Sequence, residues 1–594
     1  MAGGPDARNP TDALPRRTGC LATAAAVAAV AALLRRPDGA SLLPPGLSLA
    51  LQGLALLAWV VLRCRHAPTA GDRSPGGCAH RRPDAVANRW ITAALVVAAA
   101  AIAIARGHLT AFFSATTVFI CGAVLVDTLA VLYRRVDDRI DSPRQTLRTL
   151  LGPWAMLILI ATLLLALPPA TRSSVPDYRH NLRQHVLNSA FAAVSTGCLI
   201  GTTVYHPGED YTLFGQIVLF ITLQLAGAGF AAVGLATVRP FLRNAIRLRT
   251  VLITAFVLQA VVIAATADAW SPADAPARPD RLWFGCVHAA GAMWNAGLML
   301  RANGLEPYLT SGPVFIGFTT LAIAGSLGLP IILDILRGRR GSGTNEPDAA
   351  AARPWQRLPQ WEAGGAFVLL IGGAAVLWVC ETPHMIRESL SPTRPVAFGQ
   401  GQVALRDDMW PADRWSLSVF VSVAARSAGL QSIPVSQGAL SWPSYDLLLA
   451  WMIIGGSAGG TAGGMRTTLL LLPAILLIAR RKAWSARTRD TARTIVRRVL
   501  SAGCVWLVIN ALAVAALAFT TDGDAYELAF DGVAALNGVG LTTGLLIHLT
   551  PFGRVVMMLI MLAGRLVPVL FWSDLAERLR QGRAPKDARR TAPE

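Results

Sequence analysis

FDGVAALNGVGLTTG (530–544) runs small and apolar for two turns' worth of residues and then breaks into closely spaced glycines. Three other stretches share the pattern: FAAVSTGCLIGTTV (191–204), VHAAGAMWNAGLML (287–300) and VFVSVAARSAGLQSI (419–433). Each places a helix-compatible segment before a glycine: Gly201, Gly297, Gly429 and Gly540. Glycine reaches positive φ without steric cost, so successive carbonyls can turn to one side there.

Working outward, each short piece is flanked by two longer apolar runs. The first set is 149–168, 184–204 and 211–238; the second is 250–267, 281–300 and 311–336. The third is 363–381, 413–432 and 443–479; the fourth is 496–520, 526–545 and 552–573. Repetition on this scale means copies of one structural unit around a shared axis. The middle pieces are too short and too polar to cross about 30 Å of hydrocarbon, so they are expected to be re-entrant.

The whole chain supports a membrane setting. Of its 594 residues, 53% are hydrophobic and 15% charged, and apolar runs of this length mark a polytopic membrane protein. The net charge of +19 does not indicate nucleic acid, because the arginines sit in short segments between apolar runs. They read as topology signals. The basic stretches 134–148, 239–249, 337–357, 480–498 and 578–590 then face the cytoplasm. The short pieces enter from outside, through HPGEDY (206–211) and TDGDAYE (521–527). Further apolar runs at 19–34, 45–62, 90–105 and 109–133 form an N-terminal block, the first of them read as a retained anchor. Twelve spans with both termini inside satisfy the pattern. The expected organisation is 1–148 for the N-terminal block and linker, 149–249, 250–357, 358–495 and 496–575 for the repeats, and 576–594 for a basic tail. The eight scattered cysteines contain no C-x-x-C, so neither a metal site nor a disulfide framework is indicated.

Four such turns around an axis make a ring of backbone carbonyls able to replace the water shell of a potassium ion. The helix before each turn points its partially negative end inward, which favours a cation. For one turn alone, an ordinary glycine-ended cap is an equal reading; recurrence at one place in a repeated unit argues against it.

A second signal is GGSAGGTAGGMRTT (455–468), inside an apolar run reaching from 446 to 480, too long for one straight span. Its six glycines cost about 1 kcal/mol each in a helix interior. Irregular backbone at membrane depth persists only where it is buried or lines a water-filled cavity, so an intramembrane loop is expected. A nucleotide P-loop is excluded, since Met465 separates the last glycine from Arg466 and no lysine follows.

These fragments together, NAGL (295–298), SVAARSAGL (422–430), GVGLTTG (538–544) and GGSAGGTAGGMRTT, with LQLAGAGF (223–230) and GRL (564–566), resemble the Trk/Ktr/HKT superfamily of potassium transporters. The resemblance covers about residues 145–575. It implies an all-α polytopic membrane protein with four tandem helix–pore loop–helix repeats around a pseudo-fourfold pore, plus extra N-terminal transmembrane helices. It further implies potassium uptake across a bacterial cytoplasmic membrane, a homodimer with one pore per chain, a cytoplasmic nucleotide-binding regulatory subunit and no cofactor in this chain. Carried over by position, the filter glycines are Gly201, Gly297, Gly429 and Gly540, with the carbonyls of Ile200, Ala296, Ala428 and Val539. The gate comprises Gly459, Gly460, Thr461, Ala462, Gly463, Gly464 and Arg466, with Arg565 of GRL. In the family a serine in place of the first filter glycine goes with sodium, so four glycines favour potassium.

The first turn departs from the pattern, with Cys198, Leu199 and Ile200 where the family has hydroxyls. That leaves sodium or poorly selective transport, or a non-transporting sensor or scaffold, as alternatives. Gly197 is a rival to Gly201; Gly201 is favoured because Phe191 precedes it by ten residues, as Phe530 precedes Gly540. Val567 replaces the glutamate usual after GRL, leaving the partner of Arg565 open. Arg565 is expected across the permeation path, holding the 459–464 loop through its carbonyls. Arg466 either marks that loop's cytoplasmic end or snorkels to the interface. Arg426 is expected to support the third turn, and His288, Asp531, Asn295 and Asn537 to brace the turns or pack behind them.

Two other classes fit less well. A membrane-embedded enzyme needs a convergent set of nucleophiles and bases, and the polar residues here are distributed by repeat. A secondary carrier with broken midplane helices normally has inverted halves.

Overall fold

The computed structural model describes residues 136, 140, 142–172, 175, 181–266, 269, 278–301, 304–305, 308, 311–338, 358–389, 411–433, 435, 440–467, 471 and 486–581. All belong to the second of the chain's two compact units, Val136–Glu594. The expected N-terminal spans and the tail after 581 lie outside the described residues.

The described part is helical. In chain order the helices are α1 (Pro143–Leu165), α2 (Leu182–Gly197), α3 (Leu213–Val238), α4 (Leu248–Thr266), α5 (Arg278–Trp294), α6 (Gly312–Leu327), α7 (Leu329–Arg337), α8 (Leu358–Ser389), α9 (Pro411–Val423), α10 (Trp442–Ile453), α11 (Ala486–Ala518), α12 (Ala525–Asn537) and α13 (Pro551–Gln581). Starts are written locally. Asn181 caps α2 by accepting from the Gln184 N–H, Thr212 caps α3 and Asp524 caps α12. Proline opens α1, α6 and α10, where its missing N–H costs nothing.

Among the described residues six helices are long and apolar enough to cross a membrane: α1, α3, α4, α8, α11 and α13. Their outer faces keep large apolar side chains exposed, among them Leu163, Val261, Val368, Leu512 and Leu559. In a bilayer those faces meet lipid, so their exposure carries no penalty. The short helices lie inside: α2 is buried from Phe191 to Gly197, and α12 from Phe530 to Asn537.

The order long helix, short helix, turn, long helix recurs along the chain, and the packing is cyclic. The helix after each turn packs on the next short helix: α3 on α5, α6 on α9, α10 on α12, and α13 back on α2. Helix starts and ends thus bring the four turns to one place.

Two second runs are broken. Helix α10 stops at Ile453, and the backbone from 454 to 466 is non-helical, where the glycine count leads one to expect it. The run 311–336, expected as one helix, is instead two, α6 and α7, bent by 91°. The cause is Gly328, which adopts φ +89° between the two, with Pro330 unable to donate in the first turn of α7. A Cβ at Gly328 would collide with the backbone of Gly459 and Gly460. The bend therefore makes room for the glycine loop.

Candidate functional site

The four turns leave their helices by two routes. In the first, second and fourth, the residue two before the filter-position glycine is left-handed: Leu199 at φ +57°, Asn295 at +55° and Gly538 at +65°. The next amide reaches back five residues. Ile200 N–H donates to Ser195 O at 2.9 Å, Ala296 to Gly291 O at 2.8 Å and Val539 to Ala534 O at 2.9 Å. Asn tolerates this conformation; Leu199 does so at a cost and is held there by complete burial. In the third turn Ala424–Ala428 forms one π turn, Gly429 N–H donates to Ala424 O at 2.9 Å, and Gly429 itself takes φ +61°. Single π turns of this kind cluster at functional sites.

The four glycines meet head to tail. A Cβ on Gly201 would collide with Gly297 and Leu298, one on Gly429 with Val539 O and one on Gly540 with Ile200 O. On Gly297 it would stand 2.5 Å from Gly429 O. No side chain fits at any of them. Gly197 stays outside this ring: it ends α2, and its carbonyl accepts from Trp154 Nε1 at 2.8 Å. One expected carbonyl differs in its engagement, since Ile200 O accepts from the Gly297 N–H at 2.7 Å and so faces a neighbouring turn.

Behind the ring the polar residues are braces. Asp531 accepts from Thr543 N–H at 2.9 Å and from the hydroxyls of Thr542 and Thr543 at 3.1 Å, which ties the chain after Gly540 to α12. Asn537 accepts from Trp506 Nε1 at 3.0 Å and donates to Asn510 Oδ1 at 2.7 Å, tying the same helix to α11. His288 bonds Phe284 O at 2.8 Å and stacks on the Phe284 ring. Asp531→Ala removes three bonds from a buried carboxyl group at once, each worth about 0.5–1.5 kcal/mol net and about 1.5–3 kcal/mol where the acceptor is charged. A clear fall in the thermal unfolding midpoint of the purified protein is expected.

Residues 454–467 double back on themselves: Gly455 N–H donates to Met465 O, Met465 N–H to Ile453 O and Thr467 N–H to Gly456 O. The loop is held from every side. Thr461 and Ser457 N–H donate to Gly325 O and Ser326 O of α6, and Thr237 Oγ1 of α3 lies 3.3 Å from Ala458 O. Asn295 Nδ2 donates to Thr461 Oγ1 at 3.1 Å, joining the second turn to the loop. Gly463 abuts Asn537 and Gly538 of the fourth turn so closely that a Cβ there would collide. The loop thus lies directly against the second and fourth turns.

Three buried arginines fix it. Arg466 turns back into the loop rather than outward, and its Nη1 donates to Ser457 O at 2.6 Å and Gly460 O at 2.9 Å. Arg426 Nε donates to Gly455 O at 3.3 Å, so it supports the loop's start and not the third turn, its expected target. Arg565 Nη2 donates to Thr461 O, and its guanidinium lies 4.3 Å from the Phe230 ring centroid. That answers the question raised by Val567: the partner is a carbonyl and an aromatic face. Arg565 Nε and Nη1 have no hydrogen-bond partner among the described residues.

Several participants went unmarked in the sequence. Glu362, buried on α8, accepts from the Ser457 hydroxyl and is the acidic charge acting on both Arg426 and Arg466. An acid at the head of an apolar run was the available signal. Ser457 and Phe230 lay in quoted motifs without a role of their own, and Gly328 carried no signal beyond composition. No group of three or more metal-ligating side chains occurs among the described residues.

Residues 243–571 match the family described as TrkH, cation transport protein. The chain is 27% identical over 469 residues to the potassium/sodium uptake protein NtpJ of Enterococcus hirae, covering 74% of this chain and 93% of that one. It is 24% identical over 442 residues to the Ktr system potassium uptake protein B of Bacillus subtilis, covering 71% and 91%. The crystal structure of the potassium transporter TrkH from Vibrio parahaemolyticus aligns with a TM-score of 0.48 at 15% identity, over 81% of this chain and 95% of that one.

Proposed function

The chain belongs to the TrkH family of cation transport proteins, and on that premise we propose that it carries potassium ions into the cell through a pore whose narrowest part is the ring of glycine turns. The reading makes Gly201, Gly297, Gly429 and Gly540 the filter and residues 459–464, with Arg466 and Arg565, the gate. Its chief support is the contact of the second and fourth turns with the glycine loop, with an arginine from the last helix bound to that loop's backbone.

The chemistry follows from the backbone. Where no side chain fits, only carbonyls can approach an ion, and they can stand in for its hydration shell. A loop rich in glycine beneath them can be displaced without unpacking large side chains. Guanidinium charge beside the path raises the energy of a cation there until the loop moves.

The same reading includes a bacterial cytoplasmic membrane location with the basic stretches inside, a homodimer, and a cytoplasmic nucleotide-binding subunit that biases the gate. The names of the relatives, which mention potassium alone or potassium with sodium, support potassium as the principal ion. Sodium is the second reading, because the apolar Leu199 and Ile200 replace hydroxyls in the first turn.

The test is rescue of growth at low potassium in cells lacking their own uptake systems, followed by rubidium uptake into vesicles with sodium as competitor. Rescue, with uptake insensitive to sodium, is expected. Sodium competing as well as potassium overturns the selectivity, and absence of rescue with a regulatory subunit supplied overturns the transport reading.

A further inference from the structure

Beside the glycine loop, α11 and α13 line an open-sided cavity of about 280 Å³. Its wall is apolar, formed largely by Val505, Ile509, Val567 and Phe571, with Met465 of the loop at its inner end and Arg498 at its rim. The two helices are membrane spans with exposed apolar neighbours, Leu500, Val505 and Leu570 among them, so the medium outside is lipid.

The charge and the depth agree on one occupant. The apolar span of α11 begins at Val496, which puts Arg498 in its first turn, at the level of phospholipid headgroups. Ile509 lies about 16 Å further along the helix at 1.5 Å per residue, the reach of a long acyl chain. Trp572 also lines the cavity, among otherwise apolar neighbours that suit an acyl chain.

We propose that this cavity is a binding site for one anionic phospholipid, its phosphate on Arg498 and an acyl chain along the apolar wall against Met465. Met465 is held by its backbone to Ile453 and Gly455 and precedes Arg466, so the chain presses on the root of the glycine loop. Its occupancy stands independently of the gate reading; its influence on transport rests on that reading.

The experiment uses the full chain in phosphatidylcholine vesicles doped with phosphatidylglycerol, or with further phosphatidylcholine, bearing a photoreactive group on the acyl chain. Labelling is mapped by peptide mass spectrometry. Peptides containing Met465, Val505 and Phe571 are expected to be labelled by the phosphatidylglycerol probe about fivefold more than by the phosphatidylcholine probe, the weight of one arginine near an anionic surface. Arg498→Gln should abolish that preference. Ala502→Phe, and separately Ser501→Leu should the first fail to fold, should reduce labelling there while leaving the outer face of α1 at Leu159 and Leu163 unchanged.

Labelling no greater than on α1, or indifferent to headgroup, overturns the site. So does disulfide formation between two copies bearing Val505→Cys, which would make a second chain the occupant. If labelling follows expectation and the cavity-filling variant moves rubidium flux less than twofold, the link to the loop is overturned. A parent chain that binds the lipid and carries no ion overturns the transport reading instead.

Discussion

Arg565→Met is expected to raise resting potassium or rubidium flux into proteoliposomes by roughly 30-fold, with no loss of thermal stability. The flux follows from what the guanidinium holds: a charge-assisted bond to Thr461 O and a contact with the Phe230 face. The first is worth about 1.5–3 kcal/mol and the second about 0.5–2 kcal/mol. A net 2 kcal/mol removed from the loop's closed position is close to 30-fold in the equilibrium. Stability should hold because the same residue is expensive. It is buried, two of its nitrogens lack partners, and no carboxylate balances it among the described residues. An apolar side chain of similar length removes that desolvation cost. Arg565→Lys separates charge from geometry, keeping the repulsion while losing the planar fork; an intermediate flux is expected. Parental flux in Arg565→Met shows that the loop is held by something else.

The periodicity of apolar runs was enough to expect the helices, because span length and turn composition depend on neighbours in sequence. The short helices stop at Gly197, Trp294 and Asn537, close to where glycine and small residues begin. The break in the third second run was likewise legible, since six glycines in ten residues leave no helix to argue for. The 91° bend between α6 and α7 was not. One glycine and one proline in an apolar run are compatible with a straight span, and Gly328 turns because the glycine loop from another unit occupies the space.

The side-chain network was the least legible part, for the same reason. Glu362 and Ser457 are 95 residues apart, and nothing local to either says that they meet. Arg426 sits in the third turn by sequence yet donates to the loop. The resemblance to a family supplied positions such as Arg565; its partner, Phe230, lies in a motif, LQLAGAGF, to which no role was attached. What a charged group touches is set by packing between units, and only the folded backbone brings those units together.

The glycine ring makes the sharpest demand on a single residue. Gly429→Ala is expected to abolish potassium uptake in the low-potassium growth assay and in vesicles. Gly429 is left-handed, which costs alanine about 1–2 kcal/mol. Its new methyl would collide with Val539 O, and a backbone oxygen cannot rotate aside as a flexible side chain can. Relief must therefore shift the fourth turn, whose Gly540 already contacts Ile200, while the carbonyl of Gly429 itself borders Gly297. One methyl thus disturbs both neighbouring joints of the ring, and overpacking of this kind adds about 1–3 kcal/mol or more. Gly364→Ala on α8 is the control, since nothing lies within 4 Å of a Cβ there; it should transport and fold as the parent does. If Gly429→Ala reaches the membrane at parental level and transports at the parental rate, the four turns do not form the constriction. Loss of transport in a protein that still elutes as a folded species is the result that the contact of four glycines requires.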